Sequence, residues 1–388
     1  MLDVSTARSA PQQGIDVLAF VRRLDWLLVA AVGALVAYGL WAVGGITRYD
    51  VEGNESYFVL RQAIAIGMGV AALLVALAID PDRYRRAQRA IYGSTIVLMI
   101  LVFLLAQDTR GSKRWIDLGP FQFQPSEFGK LLFVLALAGF LADRARRLDA
   151  GVVLQAVGLA LIPILLVFKQ PDLGTSLVYT AALAACLFVA GARWTHLLAL
   201  AAVGVTAMVS VVWLLPTVGI EVLEPYQQER LTGFTNPDSD PSGTTYNVTQ
   251  SITAVGSGGL DGRGVNGATQ TRLDYLPEHA TDFVFASFAE QRGFLGASLL
   301  LGLYLLVVWR ALRVVTVARD AFGAIVAGGI VFAFLFQVFV NVGMTMGIAP
   351  VTGIPLPFVT VGGSSMIVNL IAVGVLLSIH ARGVHGRR

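Results

Sequence analysis

The sequence predicts an all-α polytopic membrane protein, with ten transmembrane helices and a large extracytoplasmic loop between helices seven and eight. Three observations carry this. Of 388 residues, 56% are hydrophobic and only 14% charged, whereas soluble domains carry about 25% charged residues. Apolar runs of roughly 20 residues, long enough to cross a bilayer, recur along the whole chain, and the mean hydropathy is +0.71. Arginines cluster on alternate connections, the pattern by which a multi-pass chain records its orientation.

A polar tail, residues 1–25, comes first. Spans one to seven follow within residues 26–218, at 26–46, 58–79, 90–106, 126–142, 152–168, 173–190 and 197–215. The third, fourth and fifth are short. A polar block fills 219–282. Spans eight to ten, at 283–309, 321–345 and 364–381, occupy 283–381 together with a re-entrant segment at 347–363, and residues 382–388 form a second tail. Arg22 and Arg23, the group from Arg83 to Arg89, Arg144 to Arg147, Arg310 to Arg319, and Arg382, Arg387 and Arg388 all fall on one side. Both tails are therefore expected in the cytoplasm and the 219–282 block outside. The net charge of +3 reflects this bias and does not point to nucleic acid. Cys186 is the only cysteine, so no intrachain disulfide can form, and the four histidines lack the spacing of a zinc site.

With the N-terminus inside, every even-numbered span starts at the outer face. Spans four, six, eight and ten each open on a polar phrase: Gln124-Pro125-Ser126-Glu127-Phe128-Gly129-Lys130, Gln170-Pro171-Asp172-Leu173-Gly174-Thr175, Thr281-Asp282-Phe283 and Gly362-Gly363-Ser364-Ser365. Taken singly, each reads as ordinary capping, since Ser126, Asp172, Thr281 and Ser364 are good N-cap types. Taken together, four positive helix ends at one membrane face suit an anionic group, and Lys113, Arg114 and Lys130 lie close in sequence to one of them. Glu127 and Lys130, three residues apart on one helical face, can pair. A pair of that kind serves equally to join helices.

The stretch from Gly347 to Phe358 holds three prolines, Pro350, Pro355 and Pro357, and cannot be one regular helix. Non-helical backbone at membrane depth survives only when buried in protein or lining a cavity. It is expected to wall the outer cavity, with Gly362-Gly363 letting backbone amides approach a ligand. In the polar block, Pro225 to Arg230 reads as the start of a short amphipathic helix, and Asn236 to Gly243 is dense turn chemistry. Residues 250–255 read as a helix end, stopped by Gly256-Ser257-Gly258-Gly259. Asp282, where this block meets the bilayer at a helix start, stands out. The helix dipole favours its ionised form and partial burial opposes it. Stabilising span eight is its plain structural alternative.

These phrases, with Lys113-Arg114-Trp115-Ile116-Asp117-Leu118-Gly119, Gln250-Ser251, Leu276 to Phe283 and Pro355 to Ser365, resemble the SEDS family of bacterial cell-wall polymerases, in family order from span one to span ten. Tyr246 to Ser251, Thr269-Gln270 ahead of Leu276-Pro277, and Thr352 to Phe358 resemble the elongation branch more than the division branch. The chain departs from the family at three places. His279-Ala280-Thr281-Asp282 exchanges the two residues before Thr-Asp, Glu290-Gln291 replaces a common acidic pair, and Thr360-Val361-Gly362-Gly363 replaces Ser-Tyr-Gly-Gly.

The resemblance implies ten membrane helices and a peptidoglycan glycosyltransferase that polymerises lipid II at the outer face of the cytoplasmic membrane. It implies partnership with a class B penicillin-binding protein and the elongation machinery. The family's essential loop aspartate falls on Asp282. A GlcNAc 4-hydroxyl would attack the MurNAc anomeric carbon with inversion, and undecaprenyl diphosphate would leave. That chemistry asks for one base, Asp282, and for cations near the diphosphate, Lys113, Arg114 and Lys130. Glu127, Asp172, Gly362, Gly363, Ser364 and Ser365 complete the candidate substrate site. A divalent cation, Mg or Mn, could share the charge, but the sequence shows no dedicated metal cage. A transporter of the same lipid-linked precursor is the alternative function.

Overall fold

The structure, a computed structural model, describes residues 17–106, 114–117, 122–145, 148–220, 222–223, 227–228, 230 and 244–385. A short α1 (Val17–Arg22) leads into α2 (Trp26–Ile46), α3 (Tyr57–Ala78), a short α4 (Pro81–Arg86) and α5 (Gln88–Leu105). A two-residue hairpin, β1 (Ile116–Asp117) and β2 (Gln122–Phe123), precedes α6 (Pro125–Ala142), α7 (Ala150–Phe168), α8 (Leu173–Val189) and α9 (Trp194–Thr217). Then come α10 (Thr244–Ser257), the short turns α11 (Gly264–Gly267) and α12 (Thr269–Arg272), and the long helices α13 (Val284–Val317), α14 (Ala321–Thr345) and α15 (Gly363–His385).

Among the described residues, nine helices are long and apolar enough to cross a membrane, and α8 is a shorter apolar helix of 17 residues. At 1.5 Å per residue α8 spans only about 25 Å, so the shortest span is the sixth rather than the third to fifth. It tolerates this because it is packed inside the bundle, with Tyr179, Cys186 and Leu187 fully buried. The eighth span runs on to Val317, eight residues past its expected end. In α9 a π turn, Ser210–Leu214, lies just before Pro216; proline lacks the N–H that would close a regular turn there.

Three of the four expected N-caps are not formed. Asp172 caps α8, its Oδ1 accepting from the Thr175 amide at 3.0 Å. At α6 the cap position is Gln124, Pro125 opens the helix, and the buried Ser126 hydroxyl has no partner among the described residues. At α13 the cap position is Phe283, and Thr281 Oγ1 donates to Glu278 instead. Ser364 lies inside α15 and links it to the hairpin, donating to Gln122 O at 2.9 Å and accepting from the Gln124 amide at 3.0 Å.

Ion pairs tie the arginine-rich end together: Asp25 with Arg310, Asp82 with Arg319, Asp143 with Arg85 and Asp80 with Arg382. The starts of α6, α8, α13 and α15 gather at the opposite end. The non-helical run from Val351 to Thr360 passes through that end, with Ile354, Leu356, Phe358 and Val359 almost fully buried. Two glycines make room for it. A Cβ at Gly39 would overlap Phe358 O, and one at Gly174 would overlap Thr352 O. Above it, α10 seats Val248 and Ala254 in a second apolar cluster with Leu276, Phe283, Met344 and Val351.

The helix α13 is broken. Gly293 has φ 64° and ψ −166°, a combination open essentially only to glycine. The Phe294 and Leu295 amides turn to Gly259 O (2.8 Å) and Leu260 O (3.1 Å) of the polar block. The Gly256–Gly259 run therefore ends α10 and also fills the break in α13.

Candidate active site

Asp282 lies two residues ahead of α13, and its half-buried carboxylate faces Gly353 of the non-helical run. A Cβ on Gly353 would stand 3.3 Å from Asp282 Oδ2 and 3.6 Å from Arg230 Nη1. The glycine, at φ 68°, thus leaves carboxylate and guanidinium sharing one gap. Burial pushes the Asp282 carboxyl above the usual carboxylate range; Arg230 and then Arg114 pull it down, and Asp172 adds to the rise.

Arg114 joins the hairpin to the α8 start. One of its amino groups donates to Pro171 O, and the other lies 3.9 Å from Asp172 Oδ1. Asp172 Oδ2 also receives Gln124 Nε2 at 3.5 Å. Arg114, Leu173, Gln227, Arg230 and Thr352 line a small pocket. Two of its polar atoms, Arg114 Nε and Thr352 Oγ1, are buried with no partner among the described residues, an arrangement suited to a polar ligand.

The backbone of the aspartate is pinned from α14. Asn341 Nδ2 donates to Asp282 O at 2.9 Å and to Ile354 O at 2.8 Å, so one side chain joins the loop to the non-helical run. One turn along, Gln337 Oε1 accepts from Lys130 Nζ at 2.8 Å, and Lys130 also bonds Glu127 Oε1 at 2.8 Å. One turn the other way, Thr345 O accepts from Ser251 of α10. The three residues form a polar stripe at spacing four on a helix that is otherwise apolar. Lys130 is thereby held by Glu127 and Gln337, beneath the site.

From α3, Gln62 donates to Thr360 O at 3.1 Å and accepts from the Gly362 amide at 3.3 Å. Thr360 Oγ1 reaches Thr281 O, and the Val361 amide reaches Ala280 O at 3.1 Å. The Gly362 amide is therefore already engaged. Ser365 accepts from Asn369 within α15. Gly363 is the first residue of α15, and Lys113 lies outside the described residues.

Around this core, Glu290 is fully buried and receives the Gln270 and Thr271 amides and the Thr271 hydroxyl at 2.8–3.0 Å. It holds the start of α12. His279 Nε2 bonds Asp50 Oδ1 at 3.0 Å, tying the aspartate loop to the α2–α3 connection.

Sequence reasoning placed Asp282, Asp172 and Arg114 together, as the structure does. It missed Arg230, Asn341, Gln337 and Gln62. An asparagine and a glutamine four apart in an apolar span were a readable sign. The nearness of Arg230 to Asp282 was not, because it arises from the fold of the polar block. Among the described residues no group of three His, Cys, Asp or Glu side chains could hold a metal ion. Asp282 and Asp172 feel each other's charge, and two carboxylates suit a Mg ion that keeps water and phosphate oxygens as its other ligands.

A family model described as "Cell cycle protein", FTSW_RODA_SPOVE, matches residues 22–384. The chain is 36% identical over 358 residues to stage V sporulation protein E of Bacillus subtilis, covering 91% of this chain and 94% of the relative. It is 36% identical over 350 residues to peptidoglycan glycosyltransferase MrdB of Escherichia coli, covering 89% and 92%. A chain from a solved peptidoglycan synthase complex, described as coordinating polymerization and crosslinking, superposes with a TM-score of 0.78 at 31% identity, covering 93% of this chain and 98% of that one. The rod shape determining protein RodA of Thermus thermophilus superposes at 0.67 with 30% identity, covering 92% and 96%.

Proposed function

The chain belongs to the FtsW/RodA/SpoVE family, and from that premise we infer that it is a peptidoglycan glycosyltransferase polymerising lipid II, with Asp282 as its base. The observation that carries the assignment is the Asp282 carboxylate facing a shared gap with Arg230 across Gly353, beside a pocket with two unpartnered polar atoms.

The acceptor's GlcNAc 4-hydroxyl donates its proton to Asp282 as its oxygen attacks the MurNAc anomeric carbon, and undecaprenyl diphosphate leaves with inversion. A half-buried carboxylate with a raised pKa is a stronger proton acceptor than one in water. The opposed guanidiniums of Arg230 and Arg114 meet the charge that develops on the diphosphate, with Lys113 added from the neighbouring sequence. Asn341 fixes the aspartate's backbone, so the base is aimed from a rigid helix. A divalent cation, Mg2+ or Mn2+, would neutralise part of the diphosphate charge when bound; Asp282 and Asp172 are the residues placed to approach it.

The site faces the outside of the cytoplasmic membrane, where lipid II is consumed, and both termini lie inside. The chain acts in the elongation branch beside a class B penicillin-binding protein, a reading supported by its likeness to a chain of a polymerising and crosslinking complex.

Purified protein incubated with lipid II and no other synthase tests the function. Glycan strands are expected, and Asp282→Asn should lower the rate by at least about 100-fold with membrane insertion intact. Near-normal synthesis by a well-folded Asp282→Asn protein would remove the aspartate as base.

A further inference from the structure

A second cationic cleft opens on the outside of the bundle, lined by Trp41, Gly44 and Arg48 of α2 and its end, Val59 of α3, Val265 of α11 and Arg292 of α13, with a volume of about 550 Å³. Arg292 is the ninth residue of α13, about 12 Å below the helix start, where an ionisable side chain calls for a function. Its guanidinium stacks 3.6 Å from the Trp41 ring centroid. Its Nε is buried with no acceptor, and no carboxylate pairs with it among the described residues. Arg48 spends its Nε on Glu55 at 2.9 Å, which leaves both amino groups. The cleft lining contains no acidic residue.

We propose that this cleft binds one phospholipid, with its phosphate between Arg48 and Arg292 and its acyl chains descending past Trp41. Two guanidiniums with spare donors ask for a phosphate-like anion, since their fork matches its oxygens. The surroundings ask for an amphiphile. Trp41 is 50% exposed, and Phe294, Leu295 and Leu299, on the turns of α13 below, are more than half exposed, so whatever sits there borders hydrocarbon. A partner's transmembrane helix, about 10–12 Å across with its side chains, could lie only across the mouth of the cleft, whereas a phosphate and the first carbons of acyl chains fit within it. Gly44 gives the lipid its space: a Cβ there would meet only Val59 Cγ2, at 3.4 Å.

The full chain, purified in detergent with added phosphatidylglycerol, is examined by native mass spectrometry. Wild type should retain one lipid specifically. Arg292→Ala should lower retention roughly tenfold, as expected for losing a charged hydrogen-bonding partner, and Arg48→Ala less. Gly44→Leu, which fills the cleft and leaves both arginines, should also lower it, so the test survives if Arg292→Ala fails to fold. Equal retention across the variants overturns the proposal. Displacement by free glycerol phosphate would make this a soluble-anion site and overturns it too. So does unchanged lipid retention with loss of a co-purifying transpeptidase, which would assign the cleft to a protein.

Discussion

The Asp282 carboxylate is held above the usual carboxylate range by burial, against the pull of Arg230 and Arg114. A base works only when ionised, so glycan synthesis should fall with acid along a limb lying above the ordinary aspartate value of 3.8, seen in kcat/KM against pH. The linkage sign is fixed by the same shift. A carboxyl whose folded pKa exceeds its unfolded one burdens the fold above the folded value and not below the unfolded one. Asp282→Asn should therefore melt no lower than wild type at neutral pH while losing activity, which separates catalysis from architecture. For His279, burial is the largest single influence and lowers the pKa, but the bond to Asp50, the charges of Asp50 and Asp274 and the bond to Leu276 O together outweigh it, and the net shift is upward. The pair stabilises the loop fully below the ordinary value of 6.5 and loses that as pH rises through the raised one. Melting temperature should fall as pH rises above 6.5 and through the raised value, and Asp50→Asn should flatten the fall. Asp282 and Asp172 could be read from the sequence because each sits where a polar phrase meets an apolar run. The roles of Asn341 and Gln62 could not, because their partners are backbone atoms that no sequence pattern marks.

At the scale of elements, the break in α13 is the feature farthest from what periodicity suggests. The apolar run resumes after Glu290-Gln291-Arg292-Gly293, so the span reads as one helix, and only that polar triplet and the glycine hint otherwise. Three glycines interlock there. A Cβ on Gly258 would overlap Ala289 O, one on Gly262 would overlap Gln291 O, and one on Gly293 would overlap Gly262 N and Leu260 O. Gly293→Ala should destabilise the protein by about 3 kcal/mol or more, from the forbidden backbone region plus the overlap. Gly302→Ala, on the same helix with open space around it, should leave stability unchanged or slightly raised. Thermal melts in one detergent compare the two. The expected caps failed for a related reason: a helix start buried under other segments meets the partners that the fold supplies, so Thr281 turned to Glu278 and the Ser126 hydroxyl was left without a partner among the described residues.

For the whole molecule, the order of the spans and their approximate number were legible because hydrocarbon thickness forces each into a long apolar run; the shortness of α8 and its depth in the bundle were not. Sidedness has a direct test. After Cys186→Ala, a cysteine at Asp274, 83% exposed, should react with a membrane-impermeant thiol reagent in intact spheroplasts. One at the exposed Arg86 should react only after lysis, and the reverse pattern would place Asp282 in the cytoplasm. The Gly293 break also divides the molecule into units of unequal stability. Amides ahead of it belong to a helix turn clasped by Glu290 and the glycine run, and those behind it to the membrane bundle. Because the Phe294 and Leu295 amides are closed by loop carbonyls and not by their own helix, their exchange with deuterium should keep pace with the loop amides of Arg263 and Gln270. The residues of α13 a turn further down should exchange far more slowly. Two positions deep in a membrane helix would then report how often the outer cap lifts off the site.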